Sequence, residues 1–422
     1  MKAGSGTDIP YRVGDWLPSD QAFLKKWLEA MIKKTDMEEK SLHPVIADLQ
    51  NLIEGDSEIF MLFHQMFEQV PKKPPYNNDP TGKPEVRDYR HMLKLLNTIM
   101  THAPEFQQTG LVGCPINTIF DWSMGTPAGF AAFLNGRVNA CLKNVLNGWA
   151  RFLGSRDSTY VLNDDPHRGW LGADARKAMP NFVEDFKCDP SQPHYGFKSW
   201  DDFFTREFRP GARPVAGPDD DAVIVNACES SPYRIARHVK PRDRFWIKSQ
   251  PYSIVHMLAN DSLAPVFAGG TIYQAYLSPL SYHRWHSPVS GTVIKAYVKD
   301  GSYYSEAPSE GFDPAGPNDS QGYITEVATR ALIFIEADNP QIGLMCVLPV
   351  GMAEVSTCQI SVYEGQHVTK GDQLGMFHFG GSTHCLIFRP DANLEFDHHG
   401  QKPGLDSKST RINARIATVI EK

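Results

Sequence analysis

The spacing of apolar residues changes once along this chain, and the change requires two differently built parts. Behind Ser19, a candidate N-cap, Phe23, Leu24, Trp27, Leu28, Met31 and Ile32 recur at helical spacing and predict a first helix. Pro44–Val70 reads as a second helical stretch interrupted at Gly55, and Val86–Met100 as a third. At Thr126-Pro127 a capping threonine precedes a proline suited to the first helical position, which predicts a helix running to about Leu153. The turn-rich segment Pro71–Gly82 predicts a loop. From about Val223 the pattern becomes short β-rich runs separated by Gly, Pro and Asp: Thr271–Leu277, Gly291–Val298, Ala331–Ala337, Leu344–Val350, Val355–Val362 and Ile412–Ile420. Lys299–Gln321, dense in Gly, Ser, Pro and Asp, reads as a mobile surface loop. At 422 residues the chain is too long for one ordinary core, so two domains are expected. The expected class is α+β, with a helical N-terminal domain over 15–182 and a β-rich domain over 186–422.

Charge and cysteine usage exclude several classes. A formal charge of −7 without any Lys/Arg run argues against a nucleic-acid partner. The seven cysteines are dispersed and none forms a CxxC pair, so reduced thiols are expected and a cysteine zinc site is not. Asp164-Asp165 and Asp219–Asp221 read as solvated turns, and no metal site is expected. The N-terminus lacks an apolar signal core, and no run approaches the roughly 18 to 20 apolar residues of a membrane span. A soluble, cytoplasmic chain with no stable membrane anchor is therefore expected.

Three segments in the β-rich part can carry chemistry. In Phe377-His-Phe-Gly-Gly-Ser-Thr383, two glycines leave the Gly381 carbonyl open to attack by the Ser382 hydroxyl, although an isolated Gly-Gly-Ser is more often a plain turn. In Ser281–Gly291, His283 and His286 are candidates for a general base and a proton donor; a satisfied pair at a strand end and a metal pair are the alternatives. Trp200–Pro214 reads as a short amphipathic helix whose Phe203, Phe204 and Phe208 pack against the core.

Together these segments resemble the phosphatidylserine decarboxylase family of pyruvoyl-dependent enzymes. The resemblance rests on the Phe-Phe-x-Arg-x-Phe stretch, the Tyr-His-Arg-x-His-x-Pro segment and Gly371–Thr383, in family order over roughly 186–422. The helical part, including Thr126-Pro-Ala-Gly-Phe-Ala-Ala-Phe and Gly169-Trp-Leu, is similar to the extension found on a soluble fungal branch of the family that decarboxylates L-tryptophan. The resemblance implies self-cleavage between Gly381 and Ser382, which leaves a covalent pyruvoyl group made from Ser382 as the cofactor. The large fragment and a small one of 41 residues would stay associated. The group would form a Schiff base with an amino-acid substrate and act as electron sink while carbon dioxide leaves.

By the same resemblance His286 activates Ser382, and His283 serves decarboxylation or reprotonation. Glu229 stands where the family has an aspartate that orients the base. Phe377, Phe379, Tyr282 and His378 are candidate substrate-binding residues; for the aromatic ones, core packing is the alternative. An aromatic L-amino acid, with L-tryptophan favoured, is the expected substrate. A phosphatidylserine decarboxylase proper and a non-processing binding relative are the alternatives.

Overall fold

Local capping chemistry explains where the helices of the first part begin and break. The computed structural model describes residues 21–37, 41–70, 86–106, 114–244, 252–278, 280–307, 320–355, 357–378 and 382–420, with backbone alone at 21–25, 121 and 355. The expected cap Ser19 and the loop 71–82 lie outside the described residues. The helices are α1 (Gln21–Met37), α2 (Pro44–Gly55), α3 (Ser57–Glu68), α4 (Tyr89–Ile99), α5 (Pro115–Met124), α6 (Pro127–Leu134) and α7 (Gly136–Leu153). The second stretch breaks because Asp56 turns its carboxylate onto the backbone N–H groups of Glu58 and Ile59 and starts a new helix. Thr126 caps α6 as expected, through the Gly129 N–H. The single helix expected from there to Leu153 is two, because Asn135 caps α7 through the N–H groups of Arg137 and Val138.

The β-rich part holds thirteen strands among the described residues. They are β1 (Val223–Val225), β2 (Ser231–Arg237), β3 (Thr271–Leu277), β4 (Arg284–His286), β5 (Gly291–Lys299), β6 (Arg330–Ala337) and β7 (Leu344–Gly351). After them come β8 (Thr357–Ile360), β9 (His367–Val368), β10 (Gln373–His378), β11 (Ser382–Phe388), β12 (Leu394–Phe396) and β13 (Arg415–Val419). Seven form one sheet in the order β2-β3-β11-β7-β6-β5-β9. Two three-stranded sheets, β4-β10-β8 and β1-β13-β12, accompany it. Every pairing is antiparallel. The fold class is α+β.

Two readings need correction. The run Val355–Val362 supplies only the short strand β8, because a 3-10 turn occupies Ala353–Val355. The supposed surface loop 299–321 is exposed at Lys299 and Asp300, but Ser302 to Ala307 are buried. Its polar composition hides this, since its groups bond inward, Tyr303 N–H to Asn139 Oδ1 (3.0 Å) and Ala307 N–H to Ser320 Oγ (2.8 Å).

The cores explain how the two parts join. Alternation along β11 sends Leu386 and Phe388 to one apolar cluster and Cys385 and Ile387 to another, so the large sheet is covered on both faces. The helical cluster takes in Tyr282, Tyr303, Tyr304, Ala353 and Ile412 from the β-rich part. Phe120 on α5 meets the Tyr304 ring edge-on at 4.9 Å. Among the described residues no helix is long and apolar enough to cross a membrane.

Candidate active site

Ser382 is the first residue of β11, an interior strand of the large sheet, and pairs with Leu277 on one side and Gly351 on the other. Its hydroxyl is fully buried and has no hydrogen-bond partner among the described residues. An orphaned buried hydroxyl costs stability, so its presence marks a group kept for a purpose other than packing. Gly381 and Phe379 lie outside the described residues.

The two histidines lie just before and at the end of β4, which pairs with β10, and His286 stands opposite Gln373 at the end of β10 away from Ser382. The Phe377 N–H donates to the His283 carbonyl (2.9 Å), which ties His283 to the end of β10 that leads toward Ser382. The His286 N–H donates to the Ala227 carbonyl (2.9 Å), just before β2, whose Ser231 pairs with Tyr276 beside Leu277. His286 Nε2 shares a hydrogen bond with the Tyr282 hydroxyl at 2.9 Å. Burial pushes the His286 imidazole down to about 4, with backbone hydrogen bonding at Gly371 opposing in part. It is therefore neutral near pH 7, and burial likewise pushes the Tyr282 phenol up, keeping it protonated.

The Trp200–Pro214 segment packs as expected and, in addition, braces these histidines, which its spacing does not reveal. Phe204 stacks on His283 and Phe208 covers Tyr282, with ring centroids 4.0 and 4.2 Å apart. The buried Arg206 guanidinium donates to the Leu280 (2.6 Å) and Ser281 (3.1 Å) carbonyls, fixing the approach to the histidine segment. Arg284 Nε donates to the Thr205 carbonyl at 2.8 Å. On the opposite side Trp285 and Phe377 meet edge-on at 4.8 Å, and both are fully buried. Gly375 faces this pair: a Cβ there would sit 2.3 Å from the Gln359 carbonyl oxygen and 2.6 Å from the Trp285 ring.

Glu229 is engaged elsewhere than on an imidazole. Its carboxylate pairs with Arg213 (2.9 Å) and accepts the Ile412 N–H (2.9 Å). Arg213 also pairs with Asp185 (3.1 Å) and lies over the Phe208 ring. His378 bonds Asp201 (3.0 Å) and Gln359 (2.7 Å), joining β10 to the short helix Trp200–Phe204.

Sequence reasoning missed two further groups. His384 lies two residues beyond Ser382 on the same face of β11, wholly buried, its ring edge-on to Tyr273 at 6.1 Å. Burial pushes its imidazole down to about 3. Glu354 is buried where β7 runs on past Gly351, and its Oε1 accepts the N–H groups of Ile116 (2.6 Å) and Asn117 (2.9 Å) at the start of α5. Burial raises its carboxyl to about 7, against the pull of those N–H groups and of the Cys114 thiol. The broad groove of about 840 Å³ bounded by Arg237, Phe396 and His398 is at the far end of the sheet. Arg237 pairs with Thr271, at the opposite end of β3 from Leu277, about 20 Å away by strand rise.

Comparison with known proteins places the chain in a family. Two family models described as phosphatidylserine decarboxylase match, one at residues 43–179 and the other at 200–410. The chain is 36% identical over 438 residues to an L-tryptophan decarboxylase of Psilocybe cubensis, covering 98% of this chain and 96% of that one. It is 45% identical over 325 residues to the decarboxylase iboD of Amanita muscaria, covering 73% of this chain and 91% of the relative. A phosphatidylserine decarboxylase proenzyme of Schizosaccharomyces pombe is 31% identical over 220 residues, 51% of this chain and 22% of that one. With matches over both parts, the chain belongs to the phosphatidylserine decarboxylase family and is a pyruvoyl-dependent decarboxylase.

Proposed function

We propose that this chain cuts itself between Gly381 and Ser382 and then decarboxylates a free aromatic L-amino acid in the cytoplasm, with L-tryptophan the favoured substrate. The observation that carries the reading is the buried Ser382 hydroxyl at the head of β11, unpartnered among the described residues. That setting fits the precursor of a pyruvoyl group, since an unpartnered Oγ is free to attack the preceding carbonyl. The substrate class rests on similarity over nearly the whole chain to a protein named L-tryptophan decarboxylase.

In this reading Ser382 Oγ adds to the Gly381 carbonyl and the peptide bond becomes an ester. Elimination and hydrolysis then release ammonia and leave a pyruvoyl group at residue 382. When formed, that group supplies the electron sink for loss of carbon dioxide. His286, neutral and fixed by Tyr282, takes the serine proton. His283, held flat by Phe204, handles the proton that replaces carbon dioxide. Glu229 acts through Arg213 and Ile412 to fix the segment whose Ala227 carbonyl holds His286. Phe377, Phe379, Tyr282 and His378 remain the candidate contacts for the aromatic side chain. The 41-residue fragment stays in place because β11 is hydrogen-bonded on both sides and β13 pairs with β1.

Intact-mass measurement with a Ser382→Ala control, paired with carbon dioxide release from L-tryptophan, L-phenylalanine, L-tyrosine and phosphatidylserine, tests the reading. Two fragments in the native protein, one chain in the variant and turnover of L-tryptophan are expected. An unbroken active chain overturns the cofactor, and turnover of the lipid alone overturns the substrate.

A further inference from the structure

The bond assigned to self-cleavage lies where the chain passes from one sheet to another. β10 ends at His378 in the sheet β4-β10-β8, and β11 begins at Ser382 in the large sheet. Between them the sequence has only Phe379, Gly380 and Gly381, none with a hydrogen-bonding side chain. Ser382 is held by ladder partners on both sides. His378 is paired on one side only: it stands opposite Thr357 of β8, whereas the pairing of β10 with β4 stops at Met376. A strand end held on one side frays unless a side chain anchors it.

The His378 ring is that anchor. Its Nδ1 meets both carboxylate oxygens of Asp201 (3.0 and 3.1 Å), and its Nε2 meets Gln359 Oε1 (2.7 Å). Gln359 stands opposite Met376 on β8, so its side chain and that of His378 are diagonal neighbours on one face. Asp201 belongs to the helical turn Trp200–Phe204, three residues before Phe204, and residues at that spacing share a helix face. Phe204 is the ring stacked on His283. One turn of helix therefore carries both the anchor of the strand that leads to the scissile bond and the ring that holds a histidine of the site. Among the described residues the Asp201 carboxylate bonds to His378 alone, so replacing it disturbs no other hydrogen bond.

We propose that Asp201 is a positioning residue for self-cleavage: through His378 it fixes the end of β10, so that the three-residue span to Ser382 presents the Gly381 carbonyl to the serine hydroxyl. The proposal rests on the cleavage reading above. In the acyl shift Ser382 Oγ bonds to the Gly381 carbonyl carbon, the C–N bond to Ser382 breaks, and the hydroxyl proton passes to the released nitrogen. Asp201 touches none of these atoms. It holds one end of the span while the ladder of β11 holds the other. Attack within a chain depends steeply on placement, and an error of about 1 Å costs up to about 100-fold.

Cleavage of the freshly synthesised full-length chain, followed by intact mass, tests this. Asp201→Ala should slow it at least about tenfold, and Asp201→Asn, which keeps the shape and one acceptor oxygen, about threefold. His378→Ala should slow it as much as Asp201→Ala, and the double variant no further, because the two side chains act as one unit. Both keep contact with solvent, so urea midpoints of uncut chains carrying Ser382→Ala should barely move when Asp201 is replaced. Hydroxylamine, which takes the acyl group from an ester, should leave the Asp201 variants slow, because the shift itself is hindered. Native cleavage rates in both Asp201 variants, recovery of the native rate with hydroxylamine, or slowing accompanied by a large fall in urea midpoint overturns the proposal. The asparagine variant decides alone if the alanine chain does not fold. A native chain that stays whole overturns the cleavage reading instead.

Discussion

Phe204 lies nearly flat on the imidazole of His283, with ring centroids 4.0 Å apart and planes 24° from parallel. Neither ring can turn without displacing the other, since both are buried. Phe204→Leu keeps most of the volume and should cost less than about 1.5 kcal/mol of stability, whereas Phe204→Ala should cost about 3 to 5 kcal/mol. In the leucine variant turnover is expected to fall at least about tenfold with little change in urea midpoint. A fall in turnover no larger than the stability loss accounts for would separate the ring from catalysis.

The Arg213–Glu229 pair gives a second test. Both side chains are largely buried, and Glu229 also holds the Ile412 N–H. Glu229→Gln and Arg213→Met should each destabilise, and the double variant should lose less than their sum, with a coupling of about 1 to 3 kcal/mol. Additive losses in urea unfolding would show that the pair does not act as a unit.

Stability should fall as the pH drops from about 6.5 to about 4. His91, His286 and His384 are pushed down by burial, to about 4, about 4 and about 3. Unfolded, each takes a proton near 6.5, so in that window the unfolded chain binds more protons and acid favours it by up to about 1.4 kcal/mol per pH unit for each group. Glu354, raised to about 7, works in the opposite sense, because the folded carboxyl keeps its proton up to a higher pH than the unfolded one. Three groups outweigh one. Urea midpoints at pH 4.5 and 6.5 measure the slope, and His384→Asn should flatten it.

At Gly375 the ladder leaves no space for a side chain. Gly375→Ala drives a methyl group into the Gln359 carbonyl and the Trp285 ring, and overpacking of this kind costs about 1 to 3 kcal/mol. Because the shift would displace β10 just ahead of residue 382, the fraction of cleaved chain on a denaturing gel should fall as well.

What the sequence made legible was whatever is decided locally. The interruption at Gly55 and the cap at Thr126 are each set within a few residues, and the β-rich run Thr271–Leu277 forms β3 as read. Helix α5 escaped because its N-cap residue, Cys114, offers no capping bond; the cap comes from Glu354, 238 residues from Ile116. The stack of Phe204 on His283 joins residues far apart in sequence, so the Phe-Phe-x-Arg stretch could be read only as core. Residues 302 to 307 misled for a related reason: they are buried against distant surfaces, with the Tyr303 N–H bonded to Asn139 of the helical part, and no local pattern reveals such burial.

The place of β11 also sets an order of events during synthesis. The strand sits between β3 and β7, yet its residues are made after both. Until those residues leave the ribosome, β3 and β7 each present an open edge to the solvent, the form of sheet most prone to pairing with other chains. Ser382 meets its neighbours only when that gap closes. A cut at this serine would therefore record that the gap between β3 and β7 has been filled.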